Sequence, residues 1–303
     1  MSGASSVFAE RLATGERILI DGATGTELER RGVPMVQGAW TGDAARTHPD
    51  ELREIHRSHI AVGAELIIAN TFASSRHLLA FGGLEQHFEL LNRRGIELAL
   101  EAREEAGRPD VVVAGSMSTS RQGGPFPTIE DARRNFADQA AIQADAGAEV
   151  IILEMMRDLE QTDACLQAAL DTRLPVWLGW SCFTEGHDEP MLWEGGHTLR
   201  AGMAEFGDSG VEAVAIMHSE VEDVEPCLRV LADCWDGPVG AYAHSGDFVH
   251  PNWVFNGVIS EQDYAAHALR WLDLGVQIIG GCCGITCDHI DVLREAVESH
   301  ATR

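Results

Sequence analysis

The sequence predicts a (β/α)8 barrel, one domain spanning residues 1–303. Three observations predict it. Eight short apolar runs, rich in Val and Ile, are spread along the chain. Charged stretches with helical periodicity alternate with them, and glycines stand where several helices stop before the next run. Runs that are apolar almost throughout describe strands buried on both faces, as in a parallel sheet. Eight strand–helix units in 303 residues match the size of a closed barrel.

In chain order the runs are ILID (18–21), ELIIAN (65–70), VVVAGS (111–116), EVIILE (149–154), PVWLGWS (175–181), EAVAIMH (212–218), PVGAYAHS (238–245) and VQIIGG (276–281). PDELREIHRSHIAVGA (49–64) and IEDARRNFADQAAIQADAGA (129–148) carry the helical pattern. Gly63, Gly147 and Gly275 fit the position after a helix where the backbone turns left-handed, and Thr128 fits an N-cap. The rival is an open doubly wound sheet. After the first run, DGATGTE has two glycines but not the G-x-G-x-x-G spacing of a dinucleotide turn, and no acidic ribose-binding residue closes a following strand. The longest irregular stretches, 117–128 and 183–197, both follow strands and do not divide the chain.

Composition excludes several functions. An apolar content of 45% can build a sizeable core, while a net charge of -26 repels phosphate backbones and anionic lipid. Nucleic acid and membrane are therefore not expected partners. No apolar run approaches the roughly 20 residues of a membrane span. MSGASSVFAERL shows no secretory signal, so a cytoplasmic location is expected. Seven cysteines in such a chain are not expected to form stable disulfides, and Cys165, Cys227 and Cys234 read as helix packing positions. There is no lysine, which excludes Schiff-base enzymes and a Walker-type phosphate loop.

A barrel gathers its strand ends around one mouth. Here those ends supply Asp21, Asn70, Ser116, Glu154, Ser181 with Cys182, His218, His244 with Ser245, and Cys282 with Cys283. Asp21 precedes a glycine and also fits a turn. Glu154 ends an apolar run, where burying an unpaired carboxylate costs several kcal/mol, and this favours function. Histidines 48, 56, 59, 77, 87 and 267 lie on helices or loops and read as surface or packing residues. Cys282 and Cys283 are either a redox pair or metal ligands. A vicinal disulfide is strained, and redox motifs usually space their thiols as C-x-x-C. Two thiolates and an imidazole would instead leave zinc one open position. Cys182 and Cys287 are further ligand candidates.

At these residues the chain resembles the homocysteine S-methyltransferase family of zinc-dependent enzymes. The likeness rests on ILIDGATGTELERRG, on WTGDAARTHPDELREIHRSHIAVGAELIIANTFASS, and on VVAGSMS, AGAEVIILEM, YAHSG and IIGGCCG in order. The resemblance implies a barrel and a Zn²⁺ held by the two cysteines of GGCC and a third at the end of strand 6. In this sequence that third position reads AIMH, so His218 would join Cys282 and Cys283 as metal ligand and catalytic group. Replacing a thiolate by a neutral imidazole makes the site one charge more positive; the alternative kept open is that metal is weak or lost and the acceptor is not homocysteine. The resemblance further places Asp21 and Glu154 on the amino-acid part of a thiol acceptor, with the Gly22 backbone on its carboxylate. Asn70 and Trp40 are the other substrate-binding candidates; Trp180, Trp193 and Trp253 are candidates for a cage around an onium methyl donor. The implied partners are small molecules: homocysteine as acceptor, and a donor tilted toward a small sulfonium with a betaine kept open. Two other classes stay in view, a zinc-dependent hydrolase using His218 and His244 and a non-catalytic onium- or amino-acid-binding protein. A barrel hydrolase would usually show an H-x-H pair after strand 1, and this chain has none. A homo-oligomer is left open.

Overall fold

A computed structural model describes residues 9–194 and 196–301. Eight parallel strands surround one axis: β1 Ile18–Leu19, β2 Leu66–Ile68, β3 Val112–Ser118, β4 Val150–Met156, β5 Val176–Trp180, β6 Ala213–Glu220, β7 Val239–His244 and β8 Ile278–Ile279. Neighbours in sequence pair side by side from β2 through β8, and β8 pairs with β1 through Ile18–Ile278 and Leu19–Ile279. A parallel bridge between Ile20 and Leu66 joins β1 to β2 and closes the ring. The expected barrel is the observed one.

Period-two alternation splits each strand between two cores. Ile18, Val112, Ile152, Trp177, Tyr242 and Ile278 pack inside the barrel. Leu19, Val113, Ile151, Leu178, Ile216 and Ile279 face the outer layer of helices. The helices Pro49–Ala61 and Ile129–Asp145 occupy the two stretches read from their periodicity. Thr128 caps the second by accepting a hydrogen bond from the Asp131 N–H. Gly63, Gly147 and Gly275 follow their helices with φ of 106°, 106° and 93°, the region open to glycine. No helix among the described residues is long and apolar enough to cross a membrane.

Three strands run past the ends of their apolar runs. β3 continues to Ser118, β4 to Met156 and β6 to Glu220. In β4 the register shifts between Leu153 and Met156, and in β6 between Met217 and Glu220. Each shift contains a left-handed non-glycine residue, Met155 at φ 54° and His218 at φ 43°. Such bulges re-aim side chains and are concentrated at the rims of barrels. The two bulges brace each other, since the Met155 N–H donates to Met217 Sδ at 3.0 Å.

Candidate active site

A cavity of about 490 Å³ opens at the C-terminal ends of the strands. One wall is soft. The ligand atoms of His218, Cys282 and Cys283 all lie within 4.8 Å of one another, and Cys282 Sγ is 3.5 Å from His218 Nδ1. Strand parity brings Cys282 there: Ile278 points inward, so Gly280 and Cys282 follow on the same face. The two glycines are required by close approach. A Cβ on Gly280 would sit 2.3 Å from Ile20 Cγ1, and one on Gly281 would sit 2.2 Å from Ile285 Cγ2.

The β6 bulge aims His218. A left-handed non-glycine residue costs about 1–3 kcal/mol and needs outside support. Ser181, at the end of β5, supplies it by donating its hydroxyl to the His218 carbonyl at 2.7 Å. The His218 ring lies 4.5 Å from the His244 ring, and His244 Nε2 is 3.0 Å from Glu220 Oε1. Burial pushes the His218 pKa well below its ordinary value, and His244 and Arg157 add to this. The neutral imidazole is the form that ligates metals. The Cys282 thiol is held well above its ordinary value, first by its hydrogen bond with Cys283 and then by burial. Zinc takes sulfur at about 2.3 Å and imidazole nitrogen at about 2.0 Å in a tetrahedron, with ligand atoms a little under 4 Å apart. Two sulfurs and a neutral nitrogen at the observed spacing fit such an ion and leave a fourth position open.

The facing wall carries carboxylates. Asp21 Oδ2 accepts the Ile68 N–H at 2.8 Å, while Oδ1 is buried without a partner. Burial raises the Asp21 pKa well above the usual range, and Glu154 adds to the shift. Glu154 accepts a hydrogen bond from the Ser116 hydroxyl, and burial lifts its pKa to about 7. Gly22 lines the same wall. A Cβ there would come within 2.6 Å of the Ile285 carbonyl and 3.1 Å of His59 Nε2. Trp40 reaches the cavity from a left-handed residue at φ 42°. Its ring lies over Gly25, where a Cβ would be 2.4 Å away. Asn70 lines the cavity with its amide engaged by Thr41: it donates to the Thr41 carbonyl at 2.9 Å and accepts the Thr41 hydroxyl at 3.1 Å.

Not every strand-end candidate arrives. Cys182 is buried behind the barrel wall beside Cys227, and Cys287 begins the last helix outside the three-ligand cluster. Trp180 packs outward on Phe206 at 6.0 Å, whereas Trp193 and Trp253 line the cavity. His56, His59 and His77 are packing residues, with pKa values lowered by burial to about 4, 3 and 4. Among the cavity residues not singled out from the sequence are two charged ones at strand ends, Arg157 and Glu220. Each stands just beyond a strand-end residue, three after Glu154 and two after His218. The signal was a charge at the edge of an apolar run whose strand proved longer than the run.

A barrel whose mouth sets a soft nitrogen–sulfur donor set against buried carboxylates defines a class: an enzyme acting on a small polar molecule. The family model described as homocysteine S-methyltransferase matches residues 18–297, and the chain belongs to that family. It is an S-methyltransferase. The hydrolase and binding-only readings are not favoured by this membership. The chain is 27% identical over 296 residues to the homocysteine S-methyltransferase of Escherichia coli K12, covering 91% of this chain and 94% of that one. It is 26% identical to homocysteine S-methyltransferase YbgG of Bacillus subtilis (90% and 91%) and 25% identical to a selenocysteine Se-methyltransferase of Brassica oleracea (94% and 90%). In fold it resembles the Escherichia coli homocysteine methyltransferase MmuM. The oxidised form matches with a TM-score of 0.78 at 24% identity, covering 95% and 99% of the two chains. The metallated form matches with a TM-score of 0.75 at 23% identity, covering 92% and 96%.

Proposed function

We propose that this chain, acting as one barrel unit, moves a methyl group from a small onium donor to the sulfur of homocysteine, with Zn²⁺ held by His218, Cys282 and Cys283. The observation that carries the reading is the convergence of those three ligand atoms within 4.8 Å, in the cavity that Asp21 and Glu154 also line. Bound there, Zn²⁺ supplies the Lewis acidity that lowers the pKa of an acceptor thiol from its ordinary value of about 8.5.

The chain's own residues do the rest. Glu154 and Asp21 receive the acceptor's ammonium, and the unpartnered Asp21 Oδ1 is a buried oxygen that this N–H donor would satisfy. A cation beside Glu154 draws its raised pKa back down, so the carboxylate is ionised when the acceptor is in place. The Gly22 backbone takes the acceptor carboxylate. Trp193 and Trp253 offer ring faces to the onium group on the open side of the cavity. His244, itself held by Glu220, fixes the His218 ring by stacking on it. The free thiols suit a reducing, cytoplasmic setting.

The test pairs elemental analysis with a thiol-methylation assay. The expected result is about one zinc per chain and methionine formed from homocysteine with a sulfonium donor. Purified chain that holds no zinc after loading, or that methylates selenocysteine but not homocysteine, would overturn the metal or the acceptor assignment respectively.

A further inference from the structure

Behind the carboxylate wall stands a hydroxyl that does not reach the cavity. Ser116 is fully buried, and its Oγ donates to Glu154. Among the described residues this is the one hydrogen bond given to that carboxylate. Strand parity puts both side chains inside the barrel. Ala114 and Ile152 point inward, so Ser116 and Glu154 follow them on the same face of each strand. Ser116 pairs with Ile152 in register, which makes Glu154 its diagonal neighbour.

The backbone that carries this hydroxyl is held from outside the sheet. β2 pairs with β3 only as far as Ile68 and Ala114. Beyond that point the Thr71 side chain takes over the ladder. Its Oγ1 accepts the Ser116 N–H at 2.9 Å and donates to the Ser116 carbonyl at 2.9 Å. Gln143, from the helix Ile129–Asp145, donates to the same carbonyl at 3.0 Å and to Asn92 Oδ1 at 3.1 Å. Gly115 makes room for that amide, since a Cβ there would lie 2.2 Å from Gln143 Oε1. Thr71, Asn92 and Gln143 are all fully buried. A residue whose N–H and carbonyl are both tied has little freedom to turn, so the direction of its Oγ is fixed with it. Burial lifts the Glu154 pKa and the Ser116 hydrogen bond opposes that lift. The hydroxyl therefore favours the ionised carboxylate, the form that an ammonium needs.

We propose that Thr71 and Ser116 are positioning residues for the thiol acceptor: Thr71 fixes the Ser116 backbone, Ser116 aims the Glu154 carboxylate, and Glu154 receives the ammonium. This rests on the acceptor reading above. Neither residue touches the acceptor, so both act on its binding through Glu154.

The experiment uses two probes that differ only at the amino group, L-homoserine and 4-hydroxybutanoate, with binding read by calorimetry. Thr71→Val keeps the shape and removes the hydroxyl; it should weaken homoserine binding about fivefold, and Ser116→Ala about tenfold. Binding of 4-hydroxybutanoate should stay within about twofold of wild type in both. Thr71→Ser keeps the hydroxyl and should restore most of the affinity. The double variant Thr71→Val, Ser116→Ala should bind homoserine no worse than Ser116→Ala, because two steps of one path are not additive. In turnover both single variants should raise KM for the acceptor more than they lower kcat, with zinc content at the wild-type level. Equal weakening of the two probes, an additive double variant, or Thr71→Ser no better than Thr71→Val would overturn the proposal. Circular dichroism establishes that each variant is folded. Should Thr71→Val not fold, Ser116→Ala decides, since it leaves the backbone lock in place; unchanged homoserine binding in it overturns the proposal. If homoserine binding follows Thr71 and Ser116 while no thiol is methylated, the positioning pair stands and the methyl-transfer reading fails. If Ser116→Ala methylates homocysteine with the wild-type KM, the reading stands and the pair falls.

Discussion

The two walls of the cavity respond to one physical cause in opposite directions. On the wall built by β6 and β8, burial drives His218 below its ordinary pKa. On the wall built by β1 and β4, burial drives Asp21 and Glu154 above theirs. Desolvation disfavours charge wherever it is found, so each wall is poised to take a cation. The soft wall offers a neutral nitrogen and two thiols to a metal. The hard wall offers oxygen to an ammonium. One barrel mouth thus holds two receptors that differ in donor softness, with the carboxylates the more deeply buried.

Removing a soft donor is the harshest test of this division. Cys282→Ser or Cys283→Ser should lose bound metal, and methyl transfer should fall on the order of a thousandfold or more, read by elemental analysis and turnover. If either variant kept its zinc and its rate, the soft wall would not be the metal site. His218→Cys is expected to keep the metal, since it exchanges one zinc ligand for another.

The hard wall shows itself first in stability. Glu154 titrates at about 7 in the fold against an ordinary 4.5, so the folded state binds its proton more tightly than the unfolded state. That contribution is fully present below about pH 4.5 and is lost as pH rises through about 7. It amounts to about 3 kcal/mol. Glu154→Gln removes it. Denaturation curves should therefore show the variant gaining on wild type as pH rises from 4.5 to above 7, and a pH-independent difference would refute the shift. In turnover the same variant should lose about tenfold to a hundredfold in kcat/KM, carried by KM for the acceptor. A fall confined to kcat would move Glu154 out of the binding wall.

The smallest effect belongs to a thiol behind the cavity. Cys182→Ala should cost about 1 kcal/mol of stability and leave zinc content at the wild-type level. Loss of metal from this variant would mean that the two thiol environments are not separate.

Much of this was legible in the residues. The barrel followed from eight apolar runs because a strand buried on both faces has no room for a polar alternate. The site followed from the residues that end those runs, since a barrel leaves its strand ends around one mouth. Glu154, His218 and Cys282 line that mouth. Arg157 and Glu220 escaped notice because β4 and β6 continue past their apolar runs, through bulges that run length does not report.

The contrast between Cys182 and Cys282 marks the boundary between the two kinds of information. Both stand two or three residues past a barrel strand, and composition does not tell them apart. Trp177 points into the barrel, so Ser181 shares its face and Cys182 falls on the other side, against Cys227. Ile278 points inward, so Cys282 does too. The sequence by itself determined the fold class and the chemical types available at the mouth, because burial pattern and residue chemistry are local properties. Only the tertiary structure decided which thiols face the cavity, how His218 turns to meet them and that Arg157 joins them. Those depend on ring closure, strand register and two bulges, and each is set by neighbours far away in sequence.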